Sequence, residues 1–303
     1  MDSYDAVIIG GGAAGLNAGL VLGRSRRRVL VVDGGRPRNA PAAHMQGFLS
    51  RDGLPPADLL EIGRTEVRGY GGEIVTGTVT RVDGSGPFTV RTDDGRAYRA
   101  RRLLVATSLT DRLPDVPGVR ERWGRDVNMC PYCHGWENRD QALAVLGTMP
   151  SSLEHALLLS QWTSDLVYLP HLLPAPTGED AAKLAARGIE VVPGEVERLV
   201  VENDRLTGVA MADGTVLARQ GLYLAAEFVP NDAILTGLGC AVEDGWVKVD
   251  GSGATSVPGV YAAGNVVNPK LGVIHAAAAG SMAGMAINAD LVFADVAEGV
   301  KAA

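Results

Sequence analysis

Short apolar runs and turn residues alternate along the chain as strand–turn–helix units. Ala6-Val7-Ile8-Ile9 reads as a buried strand, residues 16–22 as an apolar-faced helix, and Val29-Leu30-Val31-Val32 as a second strand. Residues 77–82 and 88–92 alternate apolar with polar positions, the period of strands in a small antiparallel layer. Gly84-Ser85-Gly86-Pro87 and Asp93-Asp94-Gly95 are their turns. The unit repeats near residue 143, with a strand at residues 143–146, a helix at 152–162 and a strand at 166–169. An Ala-rich helix is predicted from about residue 275 to 291. This pattern predicts an α/β fold of two dinucleotide-binding, Rossmann-like three-layer domains. Turn-rich crossings at residues 113–118 and 227–231 set the expected boundaries. Residues 1–112 and 229–303 then form one discontinuous domain, with residues 113–228 inserted.

Composition narrows the function classes. A chain of 303 residues suits about two domains. The net charge of −7, without a sustained basic stripe, argues against a nucleic-acid partner. Three cysteines do not make a secreted disulfide framework. The acidic start Met1-Asp2-Ser3-Tyr4-Asp5 lacks the basic residues of a signal peptide. Glycines and Asn17 break the apolar run 6–23, so strand, turn and helix explain it better than a membrane span. A cytoplasmic protein with neither nucleic acid nor membrane as partner is expected.

The chemistry centres on Met129-Cys130-Pro131-Tyr132-Cys133-His134-Gly135-Trp136-Glu137. Two cysteines at this spacing support thiol–disulfide exchange, one thiolate attacking while its neighbour resolves. Zinc is the rival, but a structural site needs about four ligands. The sequence has no second CxxC; Cys240 is the other cysteine, and His44, His155, His171 and His275 are scattered. The redox reading is preferred and no metal is expected. Cys240 reads as a buried structural thiol. Trp136 and Trp162 read first as packing residues, with Trp136 also placed to line a pocket.

Gly10, Gly12 and Gly15 form G-x-G-x-x-G between the first strand and helix, and Asp33 ends the second strand. Gly10 allows the tight turn, Gly12 lets a pyrophosphate approach the backbone, and Gly15 lets helix and strand pack. The acid falls where a ribose hydroxyl needs a carboxylate. The phosphates belong at the positive end of the helix.

Gly259-Val260-Tyr261-Ala262-Ala263-Gly264-Asn265 resembles the second FAD-binding motif of flavoproteins with two dinucleotide folds, with Asn265 where those proteins carry Asp. Leu103-Leu104-Val105-Ala106-Thr107-Ser108 resembles their strand ending in Ala-Thr-Gly, with Ser108 for the glycine. Residues 37–47 resemble the loop that wraps FAD. With the CxxC in the inserted domain, almost the whole chain resembles the low-molecular-weight thioredoxin reductases. The resemblance implies FAD as cofactor. Its expected contacts are Gly10, Gly12, Ala13, Ala14, Gly15, Asp33 and Gly34 in the first motif, and Asn39, Gln46 and Gly47 in the loop. Val79, Ala106 and Thr107 follow in the middle, then Gly264, Asn265, Ile274, His275 and Ala276 in the second motif. It also implies a homodimer, and it places His275 at a helix N-terminus whose positive end stabilises reduced flavin.

The inserted domain departs from the nicotinamide-binding pattern. The loop after its first strand is Gly147-Thr148-Met149-Pro150-Ser151-Ser152, so Met149 and Ser152 replace two of three motif glycines. No arginine lies between Arg139 and Arg187 to meet a 2′-phosphate. The fold is expected to persist without the site. Cys-Pro-Tyr-Cys-His-Gly-Trp-Glu resembles the dithiol oxidases of holomycin, gliotoxin and romidepsin biosynthesis. That subgroup implies a small-molecule dithiol substrate, with O2 as acceptor yielding H2O2. It also implies that Cys130 takes the mixed disulfide and that Cys133 faces the flavin. His134 is the first candidate acid/base, since imidazole titrates near neutral pH; the alternative is that it caps the turn. Two rivals stay open: an NADPH- or ferredoxin-dependent disulfide reductase, and a non-catalytic flavoprotein redox sensor.

Overall fold

A computed structural model describes residues 2–302. The chain divides into two compact units. One gathers Pro55–Thr110 with the stretches before Ala40 and after Phe228; the other gathers Pro41–Leu54 and Asp111–Glu227. Residues 41–54, expected with the first domain, thus group with the second unit.

The first segment runs β1 (Ser3–Ile9), α1 (Ala13–Arg24), β2 (Val29–Asp33), α2 (Pro56–Gly69), β3 (Glu73–Thr76), β4 (Val79–Asp83), β5 (Phe88–Thr92), β6 (Ala97–Val105) and β7 (Leu109–Arg112). The middle segment runs α3 (Val119–Arg122), β8 (Val127–Asn128), α4 (Pro131–His134), β9 (Leu143–Leu146), α5 (Ser152–Leu159), β10 (Leu166–Leu169), α6 (Gly178–Ala186) and β11 (Glu190–Val191). It continues with β12 (Val196–Glu202), β13 (Arg205–Met211), β14 (Val216–Ala218) and β15 (Gly221–Leu224). The chain closes with β16 (Glu227–Pro230), α7 (Ala233–Gly237), β17 (Val242–Glu243), β18 (Trp246–Val247), β19 (Val260–Ala262) and α8 (Val273–Ala302).

The first unit is built on a seven-stranded sheet ordered β3-β2-β1-β6-β5-β4, with β19 also paired to β6. On the edge away from β1, β6 is long enough to serve two partners. Its first half pairs antiparallel with β5 and its second half parallel with β19, Leu103 opposite Val260. Period-two alternation sorts the side chains. Val7, Ile9, Leu30, Val32, Leu103 and Val105 share one core, whereas Ala6, Ile8, Val29, Val31 and Leu104 join α1 and α8 in another.

The second unit repeats the plan with a five-stranded parallel sheet ordered β11-β10-β9-β15-β8. Leu143, Val145, Leu166 and Tyr168 pack with Ala156 and Leu159 of α5 and Leu184 of α6. These are the apolar runs read from the sequence. β12, β13 and β14 form a separate antiparallel sheet.

α8 extends to Ala302, past the expected end near residue 291, because no proline interrupts it. It is long and apolar enough to meet the length and composition of a membrane span. Its inner face nevertheless belongs to a protein core, with Ala283, Ile287 and Leu291 fully buried. Arg27 donates to Asn288, and Arg102 makes a forked bond to Asp290 at 2.6 and 2.9 Å. The outer face leaves Met282, Met285, Phe293 and Val296 exposed. α8 meets α1 at backbone distance, since a Cβ on Gly280 would lie 1.9 Å from the Ala14 carbonyl oxygen.

Gly280→Ala is therefore expected to cost about 3 kcal/mol despite the better helix propensity of alanine. Gly284→Ala, whose Cβ would stand 3.1 Å from the Ala18 carbonyl oxygen, is the milder control. Thermal unfolding reads both, and equal midpoints for the two variants would contradict this packing.

Candidate functional site

The redox pair sits at the start of the short helix α4. Cys130 and Cys133 form a disulfide with Cα atoms 5.2 Å apart. Pro131 occupies the first helical turn, where its missing N–H costs nothing. The Cys130 carbonyl accepts from the amides of Cys133 and His134 at 3.1 and 3.2 Å. The strand leading in, β8, is anchored from below. Arg122, only 5% exposed, donates to Asp126 and to Asp204, and Asp126 also accepts from the Leu206 amide at 2.8 Å. A guanidinium so buried needs both carboxylates.

His134 is half-buried and its Nδ1 has no partner. Burial lowers its pKa below the ordinary 6.5, while the nearby Glu137 carboxylate opposes that shift. The ring is thus neutral at pH 7, the form that accepts a proton. Glu137 is in turn held by Gln46, whose Nε2 donates to it at 3.0 Å. The structure therefore places Gln46 on the redox segment. Asn39 is half-buried and Gly47 is exposed, its amide donating to Asp52 at 2.7 Å.

The first-motif turn fits a dinucleotide. A Cβ on Gly10 would lie 2.4 Å from the Ala106 carbonyl oxygen, and one on Gly15 would lie 1.9 Å from that of Gly10. Gly12 differs, since a Cβ there would meet nothing within 4 Å. Open space therefore lies over the backbone that leads into Ala13, Ala14 and Gly15. α1 has no side-chain cap and no acid in its first turn, so its N-terminal amides are available to a pyrophosphate. Asp33 closes β2 and accepts from the Gly35 amide at 2.9 Å and from Arg64 at 3.0 Å. Gly34 follows it, exposed, and Val79 is half-buried at the start of β4. FAD fits this donor set and this open turn.

The second motif meets the first at Gly264, where a Cβ would stand 3.1 Å from that of Ala14. Asn265 turns its amide into its own loop. Nδ2 donates to the carbonyls of Asn268 and Leu271, each at 3.0 Å, and lies 3.4 Å from that of Pro269. Ile274 and His275 are exposed in the first turn of α8, and Ala276 is half-buried. Thr107 is tied to Asn231 both ways, its hydroxyl donating at 2.7 Å and its carbonyl accepting at 3.0 Å. Asn231 also accepts from Thr110 at 3.0 Å, a latch that sequence reasoning missed because its partners are 121 to 124 residues away. Ser108, standing for a glycine, adopts a left-handed φ of 62°.

The corresponding loop of the second unit is closed from within. The amides of Thr148 and Met149 both donate to the Ser152 hydroxyl, at 3.1 and 3.3 Å, and Ser152 is fully buried. By the spacing of the first motif, Thr148 and Met149 stand at the places of Gly11 and Gly12. Beside the loop lies a cavity of about 520 Å³ whose charged lining is Asp115, Glu195 and Glu197, with His171 and no lysine or arginine.

The Asn265 geometry yields a prediction. Asn265→Asp replaces a donor by a carboxylate facing carbonyl oxygens, so it is expected to cost about 2 kcal/mol. Denaturant unfolding that shows no loss would contradict the loop-tying role.

Comparison with known proteins places these features. The family model described as pyridine nucleotide-disulphide oxidoreductase matches residues 4–282. Thioredoxin reductase sirT of Leptosphaeria maculans is 32% identical over 97% of this chain and 96% of its own length. A probable thioredoxin reductase of Arthroderma benhamiae is 33% identical over 54% of this chain, a match that spans 43% of that protein. The crystal structure of HlmI superposes with a TM-score of 0.96 at 54% identity, covering 99% of this chain and 96% of HlmI. The chain belongs to the pyridine nucleotide-disulphide oxidoreductase family, as a thioredoxin reductase-like, FAD-binding thiol/disulfide oxidoreductase.

Proposed function

We propose that this flavoenzyme oxidises a small-molecule dithiol to its disulfide, with O2 as acceptor and H2O2 as second product. The observation that carries the reading is the loop 147–152, where Met149 stands in the place of the open Gly12 and the Thr148 and Met149 amides are tied to the buried Ser152 hydroxyl. A nicotinamide dinucleotide at this loop meets the Met149 side chain and a cavity whose charged lining is three carboxylates. Electrons then enter through the disulfide.

In this reading a substrate thiolate attacks the Cys130 sulfur, breaking the Cys130–Cys133 bond and releasing the Cys133 thiolate. The second substrate thiolate attacks the substrate sulfur of the mixed disulfide. The cyclic disulfide departs and Cys130 leaves as a thiolate. Two electrons leave the cysteine pair as its disulfide re-forms. FAD, held by the first-motif turn and the Gly264 segment, supplies the two-electron chemistry that connects this dithiol to oxygen. His134, neutral at pH 7, accepts a substrate thiol proton. The homodimer belongs to the same proposal, a second copy covering the exposed Met282, Met285, Phe293 and Val296 face of α8.

With a small dithiol and air, the protein is expected to form one H2O2 per disulfide without added NADPH. Cys133→Ser is expected to keep FAD and lose turnover; retained oxidase activity would sink the assignment. The acid limb of kcat/KM is expected below pH 6.5, because burial lowers the His134 pKa and the neutral ring persists to lower pH. Glu137→Gln removes the opposing charge and is expected to move that limb lower still. A limb that stays in place, or moves up, would remove His134 from the role.

A further inference from the structure

Beside the disulfide, the second unit holds two aromatic side chains in place without covering them. Tyr132 stands between the cysteines in sequence and is 72% exposed; Trp136 follows Cys133 by three residues and is 66% exposed. The packing role read for Trp136 from sequence therefore does not hold. Scattered exposed apolar side chains are ordinary. These two each lie within three residues of a reactive cysteine along the chain, and each is fixed in orientation. The Tyr132 ring meets Trp162 edge-on, with centroids 5.7 Å apart at 90°. Trp162 reaches that place because residue 135 is glycine, where a Cβ would lie 2.8 Å from the indole and 2.5 Å from the Pro131 carbonyl oxygen. The Arg139 guanidinium stacks 4.1 Å from the centroid of the Trp136 ring, and Arg139 also donates to the Trp136 carbonyl at 2.6 Å. Arginine thus pins the indole and leaves most of it open.

The exposed area decides what kind of molecule fits. Two largely exposed aromatic side chains offer on the order of 300 Å², whereas a stable protein partner needs roughly 800 Å² per side. A small molecule of one or two rings covers what is present. A flat π-surface gains most from a flat conjugated partner in offset stacking. Arg139 behind the indole disfavours a cationic one. We propose that Trp136 and Tyr132 form a stacking platform that selects neutral or anionic dithiols carried on a planar conjugated ring over saturated dithiols. The proposal deepens the oxidase reading and rests on it for turnover, not for binding.

The test uses the FAD-loaded protein and two dithiols that close cyclic disulfides of the same ring size, 1,2-benzenedimethanethiol and dithiothreitol. Trp136→Ala is expected to lower kcat/KM about tenfold for the aromatic dithiol and no more than about threefold for dithiothreitol. Trp136→Phe is expected to recover most of the loss. Equal losses for both dithiols would overturn the platform in favour of a structural role. A second readout needs no turnover: calorimetric binding of the bis-S-methyl derivative of 1,2-benzenedimethanethiol, which cannot form a disulfide. Trp136→Ala is expected to weaken it about tenfold. Unchanged affinity would overturn the proposal. If neither dithiol is oxidised by the wild-type protein, the oxidase reading fails, and this binding comparison still decides the platform.

Discussion

Four glycines from distant parts of the chain leave no room for a side chain around the first turn of α1. Gly10 faces the Ala106 carbonyl, Gly15 the Gly10 carbonyl, Gly280 the Ala14 carbonyl and Gly264 the Ala14 methyl. The strand, the turn, the segment at Gly264 and the long C-terminal helix therefore meet at close distance. One position in the turn escapes this crowding, Gly12, and the space above it is what a pyrophosphate requires. The same constraint explains why an apolar helix of 30 residues belongs to this core along its inner face.

The second unit shows what happens when that constraint is relaxed. Its parallel sheet and helix α5 are kept, because they need only apolar runs at the right spacing. Its loop differs from that of the first unit: Met149 stands in the place of Gly12, and the Thr148 and Met149 amides are bonded to Ser152. In the proposed reading this loop keeps the stability of the unit without the binding function its fold commonly serves. What the unit still offers is a disulfide with its entry strand anchored by Arg122 and a neutral histidine beside it.

Much of this was legible in the chain itself. β9, β10 and the glycine turn follow from local patterns, and the Met149-to-Ser152 departure was visible as missing glycines. That Ser152 would turn back on Thr148 and Met149 was not visible, since a hydroxyl's partner is chosen by the folded loop. Asn265 reads as a cofactor residue by position; that its Nδ2 also bonds carbonyls three to six residues ahead was not visible. Gln46 likewise reads as part of a wrapping loop and is found on Glu137, 91 residues away. The Asn231 latch and the exposure of Trp136 depend on contacts between remote segments, which periodicity does not encode.

In the proposed function electrons enter from a dithiol and not from a nicotinamide. The most direct measurement follows the flavin's visible absorption without oxygen, adding NADPH to one sample and a small dithiol to another. The dithiol alone is expected to bleach the flavin, and air to restore the colour with formation of H2O2. Bleaching by NADPH would contradict it, and would show that the loop held by Ser152 opens to admit the dinucleotide.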